Sequence, residues 1–97
     1  MSKIACITTL KTLPDKRDEL IRHCKAYAAR FVEQEPGTLR IELLLPPTDQ
    51  DAIIIWDVYE NFEAVEAHRN GELLRKFGEE TKSLLLSMSG VRHTMLE

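Results

Sequence analysis

The chain has 97 residues, a formal net charge of −3 and 43% hydrophobic residues, which fits one domain with a thin core. No basic run exceeds two adjacent residues and the two cysteines, Cys6 and Cys24, lie far apart, which argues against nucleic-acid binding, a disulfide framework and a zinc site. The opening Met-Ser-Lys shows no apolar leader, and no apolar run approaches about 18 residues, so the expectation is a reduced, cytoplasmic protein that engages neither membrane nor nucleic acid.

Lys3 to Leu10 alternates loosely and is rich in β-branched residues, predicting a first strand. Pro14 breaks it, and Asp15 is placed to cap a helix by accepting from free first-turn amides. From Lys16 to Glu35 the period turns helical: Leu20, Ile21, Cys24, Tyr27, Ala28, Phe31 and Val32 form one apolar stripe. Cys24, central in that stripe, reads as a small inert hydrophobe. Glu35-Pro36-Gly37 ends the helix, because proline cannot continue the hydrogen-bond ladder.

Thr38 to Leu45 predicts a second strand, with Leu39, Ile41, Leu43 and Leu45 on one face and Thr38, Arg40 and Glu42 on the other. After the turn at residues 46–51, Ala52 to Glu60 predicts a third strand. Its apolar residues occupy both faces, with Ile53 and Ile55 on one and Ile54, Trp56 and Val58 on the other. Two helical stretches can cover only one side of such a sheet. A homodimer joined sheet to sheet would shelter the second.

Asn61 is a good cap for a short helix, Phe62 to Arg69, interrupted by Asn70-Gly71. Helical spacing resumes through Leu73, Leu74, Phe77, Leu84, Leu85 and Met88, with Gly78 as a weak point, and Val91 to Glu97 predicts a fourth strand. The order is β-α-β-β-α-β, a ferredoxin-like α+β fold with an antiparallel sheet in a single domain, residues 1–97.

The histidines, His23, His68 and His93, fall on three different elements. Glu19 and His23 have helical i,i+4 spacing, which reads as a surface ion pair rather than a metal site. Asp57 and Tyr59 share one face of the third strand. If that face looks toward the helices, they converge with His68 in one cleft. A carboxylate that orients a histidine makes a proton-handling pair; a histidine pinned to a strand acid merely to hold its helix down is the alternative. Trp56 has the opposite parity to Tyr59, so one faces the cleft and the other the dimer core.

Three segments together resemble the antibiotic-biosynthesis monooxygenase family: Glu35-Pro36-Gly37-Thr38-Leu39-Arg40-Ile41-Glu42-Leu43, Ile53-Ile54-Ile55-Trp56-Asp57-Val58-Tyr59-Glu60, and Glu66-Ala67-His68. The resemblance implies a dimeric α/β barrel with a substrate cavity between helices and sheet in each subunit. It implies oxidation of small aromatic or quinol-like substrates by molecular oxygen without flavin, haem or metal. His68 with Asp57 would handle the proton, and Tyr59, Trp56 and Arg69 would position the ring or an anion. Many members carry Ser-Pro-His where this chain has Gly71-Glu72-Leu73, so a second histidine is missing. The haem ligand of a degrading branch falls at Gly78, and no basic cluster suits a phosphosugar isomerase.

The leading expectation is therefore a cofactor-independent monooxygenase. An isomerase or lyase on the same scaffold, or a dimer that binds a small ligand without transforming it, are the alternatives.

Overall fold

Strands β1 (Ile4–Thr12), β2 (Thr38–Leu44), β3 (Ala52–Tyr59) and β4 (Leu85–Thr94) form one antiparallel sheet in the order β2-β3-β1-β4. The computed structural model describes residues 2–97. Helices α1 (Arg17–Gln34), α2 (Phe62–Arg69) and α3 (Glu72–Thr81) complete a β-α-β-β-α-α-β chain. This is the expected ferredoxin-like arrangement, with its second helical region split at Asn70-Gly71. Among the described residues no helix is long and apolar enough to cross a membrane.

The α1 stripe packs as its periodicity predicts. Leu20, Cys24, Tyr27 and Phe31 are buried against Leu10, Ile53, Phe77 and Leu84, while Val32, at the edge of the stripe, is exposed. Two of the contacts expected for α1 are made differently. Asp15 does not cap the helix: it takes a left-handed φ of 65°, and the capping position passes to Lys16 with no side-chain hydrogen bond. His23 pairs not with Glu19 but with Glu80 of α3, at 3.3 Å. Glu80 also accepts from the Tyr27 hydroxyl at 2.6 Å, so this carboxylate ties α3 to α1. At α2 the cap is as expected, with Asn61 Oδ1 accepting from the Ala64 amide at 2.9 Å.

The largest departure lies near the C-terminus. Helix α3 runs through Gly78 and stops at Thr81, a single 3-10 turn spans Lys82–Leu84, and Leu85–Gly90, expected as helix, belongs to β4. Leu84, Leu85 and Met88 fit a helical stripe, but a short apolar run fits a strand equally well. Pairing decides between them, because β4 matches β1 from Thr94 opposite Ile4 to Ser87 opposite Lys11. Strand β2 differs more subtly. Its register against β3 shifts between Thr38 and Arg40, so Leu39 is an extra residue and the parity reverses there. Thr38, expected on the wet face, is buried, and Leu39 is exposed.

All the helices lie on one side of the sheet. The other side carries Ile7, Ile54, Trp56, Val58, Leu44 and Val91, of which Ile7, Leu44 and Val91 are exposed. Trp56 sits on this face, with the Arg40 guanidinium 5.6 Å from its ring centre.

Helix α2 is held close to the start of β2 by Gly37. A Cβ built there would collide with the Ala64 Cβ, and the next contact, Ala64 Cα, is at 3.4 Å. Gly37→Ala is expected to destabilise the fold by about 1–3 kcal/mol through overpacking. Ala64→Gly should restore most of that loss when combined with it, beyond what Ala64→Gly does alone. Urea denaturation of the two single variants and the double variant checks this; simple additivity would refute the contact.

Candidate active site

Between the helices and the sheet lies a cavity of about 320 Å³, at the lower end of the range for small-molecule sites, roughly 300–1,000 Å³. Its sheet wall follows from the register. Across the strands, Ile41, Asp57, Cys6 and Arg92 stand side by side on the helix-facing surface. The next row is Leu43, Ile55, Thr8 and Gly90, and beyond it Leu10 pairs with Met88. The wall therefore runs from polar to apolar along the strands. Tyr27, Phe31, Val65, Leu74 and Phe77 supply the helical side. Met88 lines the cavity yet remains 68% exposed, so the mouth opens along β4. At Gly90 the wall is bare, and a Cβ there would meet Thr8 Oγ1 at 3.0 Å.

Asp57, Tyr59, His68 and Arg69, singled out from the sequence, all line this cavity; Trp56 does not, because strand alternation turns it to the opposite face. The Tyr59 hydroxyl donates to Asp57 Oδ2 at 2.7 Å, and the Tyr59 ring lies 5.2 Å from that of His68. Asp57 Oδ1 is buried without any hydrogen-bond partner. Burial pushes the Asp57 carboxyl above the ordinary aspartate range, although the Tyr59 hydroxyl and the nearby His68 oppose the shift. Tyr59 is held protonated by burial and by the adjacent carboxylate.

The group hydrogen-bonded to His68 is not Asp57 but Glu35, whose Oε1 lies 2.8 Å from His68 Nδ1. Local chemistry explains how a helix-ending residue reaches the site. Pro36 disfavours the helical conformation at the residue before it, and Glu35 is extended, with φ −108° and ψ 106°. Its side chain leaves the α1 axis, where the Thr38 hydroxyl also donates to Oε1 at 2.8 Å. A carboxylate at Nδ1 favours the tautomer with the proton on that nitrogen, leaving Nε2 to accept. Phe31, 4.6 Å from the His68 ring centre, packs edge-on against it. His68 is thereby fixed on two sides.

Cys6 also lines the cavity, and burial raises its thiol, as it raises Cys24 to about 12. Neither thiol is primed as a nucleophile. Among the described residues, no three His, Cys, Asp or Glu side chains group so as to hold a metal ion. The arrangement can accept and return a proton at an oriented histidine, beside a buried acid, at the polar end of an apolar chamber.

Comparison with known proteins agrees with this architecture. Residues 3–80 match the family model for antibiotic biosynthesis monooxygenase. A solved structure from Caulobacter crescentus, assigned to that group, superposes with a TM-score of 0.93 at 21% identity, covering 99% of this chain and 92% of the other. One from Nitrosomonas europaea, assigned likewise, gives 0.90 at 16% identity, with coverage of 98% and 91%. A Pseudomonas aeruginosa protein gives 0.87 at 22% identity, with coverage of 100% and 97%. At these identities the structural likeness speaks to fold alone. No curated protein matches the chain by sequence.

Proposed function

The chain belongs to the antibiotic biosynthesis monooxygenase family, and from that premise we propose that it oxidises a small aromatic or quinol-like substrate with molecular oxygen and no bound cofactor. The observation that carries this reading is the inner end of the cavity, where Glu35 orients His68 beside Asp57, a buried carboxyl with one unpartnered oxygen. A buried polar atom left unpaired costs stability and calls for a functional reason; here it is the second acid–base group of the site.

In the proposed reaction, His68 Nε2 takes a proton from the acidic O–H or C–H of the substrate. The electron-rich anion reduces oxygen, and a new C–O bond gives a hydroperoxide. Loss of water then breaks the O–O bond and leaves a carbonyl. One oxygen atom enters the product and the other leaves as water, so the substrate supplies every electron. The protein's part is to hold the ring against the apolar rows, move the proton and keep bulk water out. Tyr59 holds Asp57 in place, and Arg69 contributes positive charge at the cavity wall.

The test is oxygen uptake by the purified protein mixed with a hydroquinone or an anthrone. Equimolar oxygen consumption and substrate loss are expected, with one labelled atom from ¹⁸O₂ in the product. Turnover that continues without oxygen would identify an isomerase or lyase instead, and cavity binding without turnover a sequestering protein.

The same reading makes the protein a homodimer, two copies covering the bare face around Ile7, Trp56, Leu44 and Val91. Sedimentation at micromolar concentration should give twice the subunit mass, and a stable single subunit would refute the pairing. Its two free cysteines suit a reducing, cytoplasmic setting.

A further inference from the structure

Two arginines at the cavity play no part in the proton chemistry. Arg92 of β4 stands beside Cys6 in the polar row, on the far side of Cys6 from Asp57. Arg69 of α2 lines the same cavity and is exposed. Among the described residues, no carboxylate lies within 4.0 Å of Arg69, and that nearest Arg92 is Glu66, at a loose 3.7 Å. The Arg92 guanidinium is braced instead over the Phe62 ring, 5.4 Å from its centre. Both arginines line the one chamber, Arg92 from the sheet row that holds Cys6 and Arg69 from α2. Neither is hydrogen-bonded to the Asp57 carboxyl, whose Oδ2 accepts from the Tyr59 hydroxyl and whose Oδ1 has no partner. The pair is therefore not there to neutralise the buried acid.

We propose that Arg69 and Arg92 form an anion subsite, and that the ligand of this cavity is a hydroxylated aromatic carboxylate rather than a neutral quinol. This rests on the cavity being the substrate site, and it adds the substrate class. The register sets the geometry. Asp57, Cys6 and Arg92 lie on adjacent strands, so the backbones at Asp57 and Arg92 are two strand spacings apart, roughly 10 Å. That span matches a fused bicyclic ring with a hydroxyl at one end and a carboxylate at the other. Gly90 and Thr8 line the cavity in the next row, where the flat ring would lie, and the open β4 side lets the carboxylate enter last. Guanidinium forks suit a carboxylate through paired, charge-assisted hydrogen bonds.

The experiment measures anaerobic binding of 6-hydroxy-2-naphthoate and of its methyl ester, which share ring and hydroxyl, by calorimetry on the full chain. The acid is expected to bind about 10- to 100-fold more tightly than the ester, the range of charge-assisted pairing. In the Arg69→Gln/Arg92→Gln double variant that preference should collapse to within about threefold. Arg92→Lys, which keeps the charge but loses the fork, should retain an intermediate preference, and circular dichroism checks that each variant folds. Equal binding of acid and ester by the parent protein, or a preference that survives the double variant, would overturn the subsite. A carboxylate preference with no oxygen uptake on any oxidisable analogue would leave the subsite standing and sink the monooxygenase reading alone.

Discussion

Replacing His68 with Ala is expected to lower turnover of an accepted quinol or anthrone by about 10²–10⁴-fold, the usual contribution of a positioned proton-transfer group. The loss should fall on kcat more than on KM, because the apolar rows that hold the ring remain in place. His68 is buried between Phe31 and Tyr59, so its removal also leaves a hole. His68→Gln fills more of that hole and separates folding from chemistry: it should melt closer to the parent protein yet be nearly as inactive. Glu35→Gln gives a finer reading. It keeps a hydrogen-bonding side chain near Nδ1 but weakens the charge-assisted hydrogen bond that fixes the ring and its tautomer. Activity should fall, but less than in His68→Ala, because the imidazole is still present but less firmly oriented. Unchanged turnover in His68→Ala would remove this residue from the mechanism; unchanged turnover in Glu35→Gln would reduce Glu35 to a tether for α2.

Asp57→Asn is the second large effect, with opposite signs on activity and stability. Turnover is expected to drop by about 10²-fold or more, because the amide cannot accept a proton. Stability should rise at neutral pH. Burial raises the Asp57 carboxyl in the folded protein, so the native state binds that proton more tightly than the unfolded chain. The stability this group contributes is complete below its unfolded value, about pH 3.9, and is lost as pH rises through the folded one. Asparagine does not titrate. The stability of the variant relative to the parent should therefore climb from about pH 4 upward and level off once the parent carboxyl is ionised in both states. Urea midpoints measured across pH 3–8 check the sign; a constant gap between the two proteins would mean that the fold does not raise the Asp57 carboxyl.

Much of this site could be read from strand parity. Asp57 and Tyr59, two residues apart on β3, had to share a face, and a helix following at once placed His68 within reach of it. The same parity excludes Trp56 from the cavity; only the family resemblance had suggested a substrate contact for it. Glu35 was not legible as a partner of His68. The two are 33 positions apart, and the Glu-Pro-Gly signal reads as a helix stop. The conformation that Pro36 imposes to end the helix also turns the carboxylate toward α2. Arg92 falls inside the expected fourth strand, but its place beside Cys6 follows only from the pairing of β4 with β1. Thr38 was placed on the wrong side because the extra residue at Leu39 reverses the count. In each case the hidden information was a long-range pairing, which short-range periodicity does not carry.

The last strand meets the rest of the sheet only through β1, and its alternate residues look to opposite surfaces. Arg92, Gly90 and Met88 face the chamber, while His93, Val91 and Ser89 face away. Inserting or deleting one codon within β4 would exchange these two sets at a stroke, removing the guanidinium and closing the bare patch. Ligand preference in this lineage can drift through single substitutions at the even positions of that strand, while the odd positions answer to whatever lies against the outer surface. Changes of length there would rewrite both surfaces together.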